Sequence, residues 1–245
     1  MDFRILNQDG PGRIGQFTID NKEINSPNIL FIDTRRIKSP VFLEIILTNE
    51  KNNKKKPQIF YSDGKRRHEG FFEKKGNLLE IEEKSIYVLK NASQIFRNPN
   101  KFTSKIIDNR GKIGPEKVFY LPAIAEPINL SILSYLGIDL FDSTSAIINA
   151  RKKIMFSNSG NKKIKDLKEN PCNCPICIKS NKKPKDMSFE EILNHNYYML
   201  FFEIRNIRNS IRNNTLRDLV ELRCKTSPNL ITIFRTFDNK YYKYL

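Results

Sequence analysis

Residues 118–142, VFYLPAIAEPINLSILSYLGIDLFD, read as strand, helix, strand. Val118–Leu121 is an apolar, β-rich run. Glu126-Pro127 then opens a helix with proline in its first turn, and Leu130, Leu133 and Leu136 recur at helical spacing. Gly137 closes that helix ahead of a second apolar run, Ile138–Phe141. Joints this tight make one βαβ unit, the building block of a parallel sheet or barrel, so the fold class is α/β. In such folds functional side chains gather at the C-terminal ends of the strands, here Pro122–Glu126 and Asp142–Ser145.

On the C-terminal side, Ser145–Ala150 begins another helix, followed by Arg151-Lys152-Lys153 and a short strand at Ile154–Phe156. On the N-terminal side, Phe3–Leu6 and Gln16–Ile19 form an opening hairpin around the turn Asp9-Gly10-Pro11-Gly12. Asn28–Ile32, Phe42–Leu47, Gln58–Tyr61, Leu78–Ile81 and Ile86–Leu89 are further strand candidates. Residues 49–57 are polar and cationic and read as an exposed connection. His68 lies in the polar turn Lys-Arg-Arg-His-Glu-Gly and is given no role.

Residues 157–170 read as a Ser, Asn and Lys-rich linker leading into Pro-Cys-Asn-Cys-Pro-Ile-Cys. Cys172, Cys174 and Cys177 are spaced so that three thiolates can converge on one ion, and His195, on the helix that follows, can complete a tetrahedron. Soft thiolates with one imidazole favour Zn2+, and four protein ligands leave no open position, so the zinc is read as structural. A polar, Lys-flanked segment of this kind is a poor core segment. Cys224, at helical spacing in Glu-Leu-Arg-Cys-Lys, reads as a packing residue.

Ser188 and Glu191 form a capping box at the head of the long helix. Leu193, Tyr197, Leu200, Ile204, Ile207 and Ile211 then step by four and three along one core-facing stripe. Arg205, Arg208 and Arg212 repeat on another face, which is either solvated or turned to phosphates. Thr215 and Asp218 cap a further short helix through Leu222, and Ser227-Pro228 starts a last one.

Lys and Arg number 43 against 27 Asp and Glu, a net charge of +16. Such an excess points to a polyanionic partner, since phosphate neutralisation is the main sequence-independent source of nucleic-acid affinity. The longest apolar run, Val41–Leu47, is interrupted by Glu44 and is too short to span a membrane. Met-Asp-Phe-Arg at the start lacks the layout of a secretory signal, which suggests a cytoplasmic protein with reduced cysteines.

Cys-x-Cys-x-x-Cys followed by His195-Asn196 at the head of a long helix resembles the zinc subdomain of the tRNA-guanine transglycosylase family. Asp9-Gly10-x-x-Arg13-Ile14-Gly15 with Ser26-Pro27 resembles that family's N-terminal signature. Tyr120-Leu121 through Pro127, with Gly137-Ile138-Asp139-Leu140-Phe141-Asp142, is similar to its late barrel segment. Within the family the tail, with Leu193-Asn-His-Asn and Leu216-Arg-Asp-Leu-Val-Glu-Leu-Arg223, is most like the transglycosylase-like domain of archaeosine synthases. The likeness covers residues 1–27 and 115–236.

The resemblance implies a reduced or degenerate (β/α)8 TIM-type barrel over residues 1–156, with a zinc-binding helical subdomain and C-terminal helices over 157–245. It implies action on tRNA in the archaeosine (7-deazaguanine) pathway and places Asp142 where active members carry their nucleophile. A strand-end aspartate that caps the following helix is the alternative for Asp142. The family's Asp-Ser-Gly-Gly-Phe-Gln and Gly-Gly-Leu-Ala-Val-Gly-Glu motifs have no counterpart. Of its two tRNA-contacting arginines, Ile148 replaces the first and Arg151 keeps the second. Two or three βα units stand where a barrel needs eight. The expectation is therefore a tRNA-binding subunit without base exchange, holding phosphates through Arg151, Lys152, Lys153, Arg205, Arg208 and Arg212. It would work with a separate catalytic or RNA-binding chain; self-association into a homo-oligomer is left open. The alternatives are an active transglycosylase using Asp142 and a zinc-stabilised protein-interaction scaffold.

Overall fold

A computed structural model describes residues 3–19, 22–48, 58–60, 78–81, 86–180, 182–241 and 243. His68 and the whole cationic stretch 49–57 lie outside them. The chain opens with β1 (Phe3–Asp9), β2 (Gly12–Ile19) and β3 (Lys22–Asn25), an antiparallel three-stranded sheet. The main sheet holds β4 (Asn28–Asp33), β5 (Ile45–Thr48), β6 (Gln58–Phe60), β7 (Leu78–Ile81), β8 (Ile86–Leu89), β9 (Val118–Leu121) and β10 (Leu140–Asp142).

Its order is β6-β5-β4-β10-β9-β8-β7, with every neighbouring pair parallel except β7 against β8. Apart from β6 and β7, which form the two edges, sequence neighbours are spatial neighbours, and β10, the last of these strands, lies beside β4, the first. No pairing joins β6 to β7 among the described residues, and a closed barrel is not seen. The anticipated βαβ unit is present as β9, α3 (Pro127–Tyr135) and β10. Gly137, at φ 84, turns the chain out of the helix in a region that disfavours a side chain.

The strands read as continuous apolar runs because both faces are covered. Ile29, Phe31, Ile46, Phe119, Leu121 and Phe141 join the larger buried cluster, beneath the helices. Their alternates Leu30, Ile45, Leu47, Val118, Tyr120 and Leu140 join a second cluster with Phe3, Phe17 and Ile24 of the small sheet. Strand period two thus sorts one sequence run into two cores. Phe42 falls outside the observed β5 because its ring is packed against Tyr198 and Phe201, at centroid distances of 4.5 and 4.9 Å.

The remaining elements are α1 (Ala92–Ile95), α2 (Pro99–Ile113), α4 (Thr144–Arg151), β11 (Ile154–Met155), β12 (Lys162–Lys163) and α5 (Pro175–Lys179). They are followed by α6 (Phe189–Arg212), α7 (Leu216–Cys224) and α8 (Pro228–Lys240). The capping box is formed: Ser188 N–H donates to Glu191 Oε2 at 2.7 Å and Glu191 N–H to Ser188 Oγ at 3.2 Å. All six stripe residues of α6 are buried.

Three features differ from the expectation. Helix α2 goes unanticipated, although Asn98 caps it and Pro99 occupies its first turn. Residues 157–170 are more than a linker, because β12 pairs antiparallel with β11 and Ile164 is buried. Thr215 does not cap α7; Asp9, from β1, does, accepting from Leu216 N–H at 2.7 Å. Among the described residues no helix is long and apolar enough to cross a membrane.

Candidate metal centre and basic surface

The sequence brings its three clustered cysteines and its helical histidine to one point. Cys174 is the N-cap of α5, Cys177 lies inside it, and Cys172 sits in the loop before. Backbone N–H groups of Cys174 and Cys177 donate to the sulfurs of Cys172 and Cys174, each at 3.4 Å, which turns both sulfurs into the loop. His195 Nδ1 lies 3.4, 3.5 and 3.3 Å from the sulfurs of Cys172, Cys174 and Cys177, and Cys172 Sγ is 3.7 Å from Cys177 Sγ. All four ligand atoms fall within 4.8 Å of one another.

Bonds of about 2.3 Å to sulfur and 2.0–2.1 Å to nitrogen give tetrahedral edges of about 3.5 Å (S···N) and 3.8 Å (S···S), so the donor set fits zinc. The other ring nitrogen, His195 Nε2, faces the carbonyl oxygen of Phe156 at 2.8 Å, which fixes the ring so that Nδ1 turns its lone pair to the sulfurs. Asn196 secures the same strand end: Phe156 N–H donates to its Oδ1 at 2.8 Å, and its Nδ2 donates to Ile154 O at 3.1 Å and Ala146 O at 3.4 Å. His195-Asn196 therefore ties α6 to β11 and α4. Cys224 stands apart, buried, and burial pushes its thiol up to about 12, as suits a packing residue.

Asp142 ends β10 and is 2% exposed. Its Oδ2 accepts from Tyr120 Oη at 2.6 Å and Ala123 N–H at 3.0 Å, and its Oδ1 from Thr144 N–H at 2.8 Å. Ala123 holds a left-handed φ of 56 to reach it. Asp139, which precedes the same strand, is 1% exposed and takes both Nε and Nη2 of Arg13, at 2.9 and 2.7 Å, and Arg110 Nη1 at 3.3 Å. Burial, opposed by Asp139, draws Arg110 down to about 10. Arg13 and Asp139 come from two separate signature segments, which meet in this one ion pair.

The basic residues do not form one surface. Arg151, Lys152 and Lys153 are exposed at the end of α4, and Lys153 Nζ donates to Met187 O at 3.1 Å. Arg205 and Arg212 are exposed further along α6, roughly 14 and 24 Å of helix rise beyond Asn196, where α6 meets α4 and β11, with Arg205 5.7 Å over the Phe201 ring. Arg208 is the exception to the expected ridge. It is 7% exposed, and its guanidinium is committed to Glu44 (3.0 Å from Nη1 and from Nη2) and to the carbonyls of Pro27 (2.9 Å) and Asn25 (2.7 Å). Its position at the margin of the apolar stripe turns it inward, where Glu44 neutralises it. Residues 151–185 carry eleven Lys and Arg against Asp166 and Glu169, more than half of the net charge of the chain.

A family model described as queuine tRNA-ribosyltransferase matches residues 97–229, more than half of the chain, including the metal centre, Asp139 and Asp142. The chain belongs to that family. It is 31% identical over 167 residues to archaeosine synthase subunit alpha of Methanosarcina acetivorans, covering 66% of this chain and 27% of that protein. Against archaeosine synthase of Haloferax volcanii it is 28% identical over 155 residues, 63% and 26% of the two chains. Against tRNA-guanine(15) transglycosylase of Methanocaldococcus jannaschii it is 33% identical over 150 residues, 57% and 22%. The chain thus spans about a quarter of the length of these family members.

Proposed function

We propose that the chain is a transglycosylase-like, tRNA-binding component of archaeosine (7-deazaguanine) tRNA modification that does not itself exchange bases and works with a separate catalytic chain. Its family and the names of its relatives support the pathway, and a net charge of +16 supports the nucleic-acid partner. The state of Asp142 is the observation that carries the loss of exchange. A nucleophile must offer an oxygen to the substrate, and both oxygens of this buried carboxylate accept from Tyr120, Ala123 and Thr144. In this reading the parallel wall is a reduced barrel and residues 157–245 are a zinc-held subdomain. Cys172, Cys174, Cys177 and His195 hold a structural zinc whose four ligands leave no position for substrate. Arg151, Lys152, Lys153, Arg205 and Arg212 hold phosphates, and Arg208 holds the fold.

The test is tRNA binding by fluorescence anisotropy as salt is raised from about 50 to 200 mM. Five phosphate contacts give a slope of log affinity on log salt of about −4 to −5. Salt-insensitive binding, or none, overturns the reading. Radiolabelled guanine is expected not to enter tRNA. Incorporation that vanishes in Asp142→Asn would establish the active-transglycosylase reading instead.

A further inference from the structure

Helices α6 and α7 and the zinc loop, with Cys172 and Cys174 in one wall, enclose a groove of about 710 Å³ whose remaining lining, from Ser157 to Thr226, takes no part in the metal centre. Tyr198, Met199, Phe202 and Leu222 make its apolar walls, and the amides of Asn158 and Asn173 stand on its polar side. Phe202 is 50% and Leu222 58% exposed, because the core stripe of α6 runs through Leu193, Tyr197, Leu200 and Ile204 and leaves Tyr198 and Phe202 on a second face. Two large apolar side chains are thus held open to solvent at the mouth of a preformed groove.

We propose that this groove takes an unpaired nucleotide of an RNA, its base lodged against Phe202 and Tyr198 and its phosphates on the surrounding cations; the proposal rests on the reading of the chain as RNA-binding. Charge selects this occupant. Arg205 follows Phe202 by one turn, Lys225 follows the groove-lining Arg223, and the opposite wall belongs to the cation-rich segment 151–185; all of these flanking cations are exposed. A second copy of the chain would bring +16 against +16, whereas a single-stranded polyanion offers flat apolar faces and negative charge together. The volume falls in the range of small-molecule sites, about 300–1,000 Å³, and base edges can use the side-chain amides as donors and acceptors.

The test uses a hexaribonucleotide carrying 2-aminopurine, a blunt RNA duplex and a tRNA transcript, with the whole chain loaded with zinc. Binding of the single strand should quench 2-aminopurine by stacking. Phe202→Ala with Leu222→Ala should weaken single-strand binding by about tenfold or more and abolish the quench. The duplex affinity and the salt slope for tRNA should stay as in the wild type, and Phe202→Tyr should restore the quench. Both side chains are exposed, so an unchanged melting temperature establishes that the variant is folded. Three results overturn the proposal: wild-type single-strand affinity in the double variant, no quench in the wild type, or a dimer that the substitutions dissociate without changing RNA affinity. If tRNA still binds with a steep salt slope, only the groove assignment falls. If the wild type binds no RNA at all, the reading of the chain as RNA-binding falls with it.

Discussion

The two ends of the parallel wall are held by different chemistry. At the end where β4, β5 and β10 begin, buried Arg13 and Arg208 and partly buried Arg110 meet two carboxylates: Arg13 and Arg110 on Asp139, and Arg208 on Glu44. At the end where β10 finishes, Asp142 accepts from a phenol and two backbone amides, and Glu126 from Ser145, Asn149, Asn161 and the backbone N–H of Asn129. Asp139 and Asp142 lie three residues apart at nearly equal burial, yet one is balanced by full charges and the other by dipoles. Ion pairs lock the first end, while at the second, the strand ends where a parallel sheet does its chemistry, Asp142 and Glu126 have no partner cation among the described residues. In this chain Asp142 is covered there.

Helix α6 joins the ends, carrying His195 near the start of α4 and Arg208 beside Pro27 and Glu44. With zinc held as proposed, removing it is therefore the largest single perturbation. Structural zinc in small domains is worth about 10–16 kcal/mol of folding free energy, so chelation or Cys177→Ser should lower the melting temperature steeply and release hydrogen-exchange protection over residues 157–200. Equal melting temperatures with and without chelator would remove zinc from the account.

The aspartates provide the next comparison. Asp139→Asn keeps the shape and leaves two buried guanidiniums without a counter-charge, at a cost of about 3–5 kcal/mol in urea denaturation. Asp142→Asn removes a carboxylate that no cation balances, and should cost about 1–2 kcal/mol. Similar losses at both positions would erase the distinction between the ends. Arg208→Ala should then cost about 1.5–3 kcal/mol through its bonds to Glu44, Pro27 and Asn25. Arg205→Ala should fall within about 0.5 kcal/mol of wild type while reducing the salt slope of tRNA binding by about one contact. If Arg208→Ala weakens tRNA binding without loss of stability, the inward assignment fails.

What could be read in the sequence was what is local. The βαβ unit, the capping box of α6 and the four metal ligands depend on spacings of a few residues, or on a single helix face. The remainder depends on partners far along the chain: Asp139 lies 126 positions from Arg13, Glu44 lies 164 from Arg208, and Asp9 lies 207 from the α7 amide that it caps. Helical spacing alone gave Arg205, Arg208 and Arg212 one face, and only the docking of α6 against the start of β4 separates them. The hairpin of β11 and β12 was hidden because the exposed Lys162 and Lys163 pair through their backbones, and only the following Ile164 is buried on the β12 side.

The smallest effect tests the uncompensated end through pH. Burial raises the pKa of Glu126 above its ordinary 4.5, with hydrogen bonds from Asn161, Asn149 and Ser145 opposing it. The folded chain therefore keeps this proton to a higher pH than the unfolded chain does. Between the ordinary value and the raised one the native state binds more protons, so stability falls as pH rises through that window and stays lower above it. Glu126→Gln retains an acceptor for Ser145 and Asn149 and has no proton to lose. Its melting temperature relative to wild type should thus be higher above the window than below it. A difference independent of pH would mean that the Glu126 carboxylate is as well balanced in the fold as in water, and the contrast between the two ends would then rest on Asp142 alone.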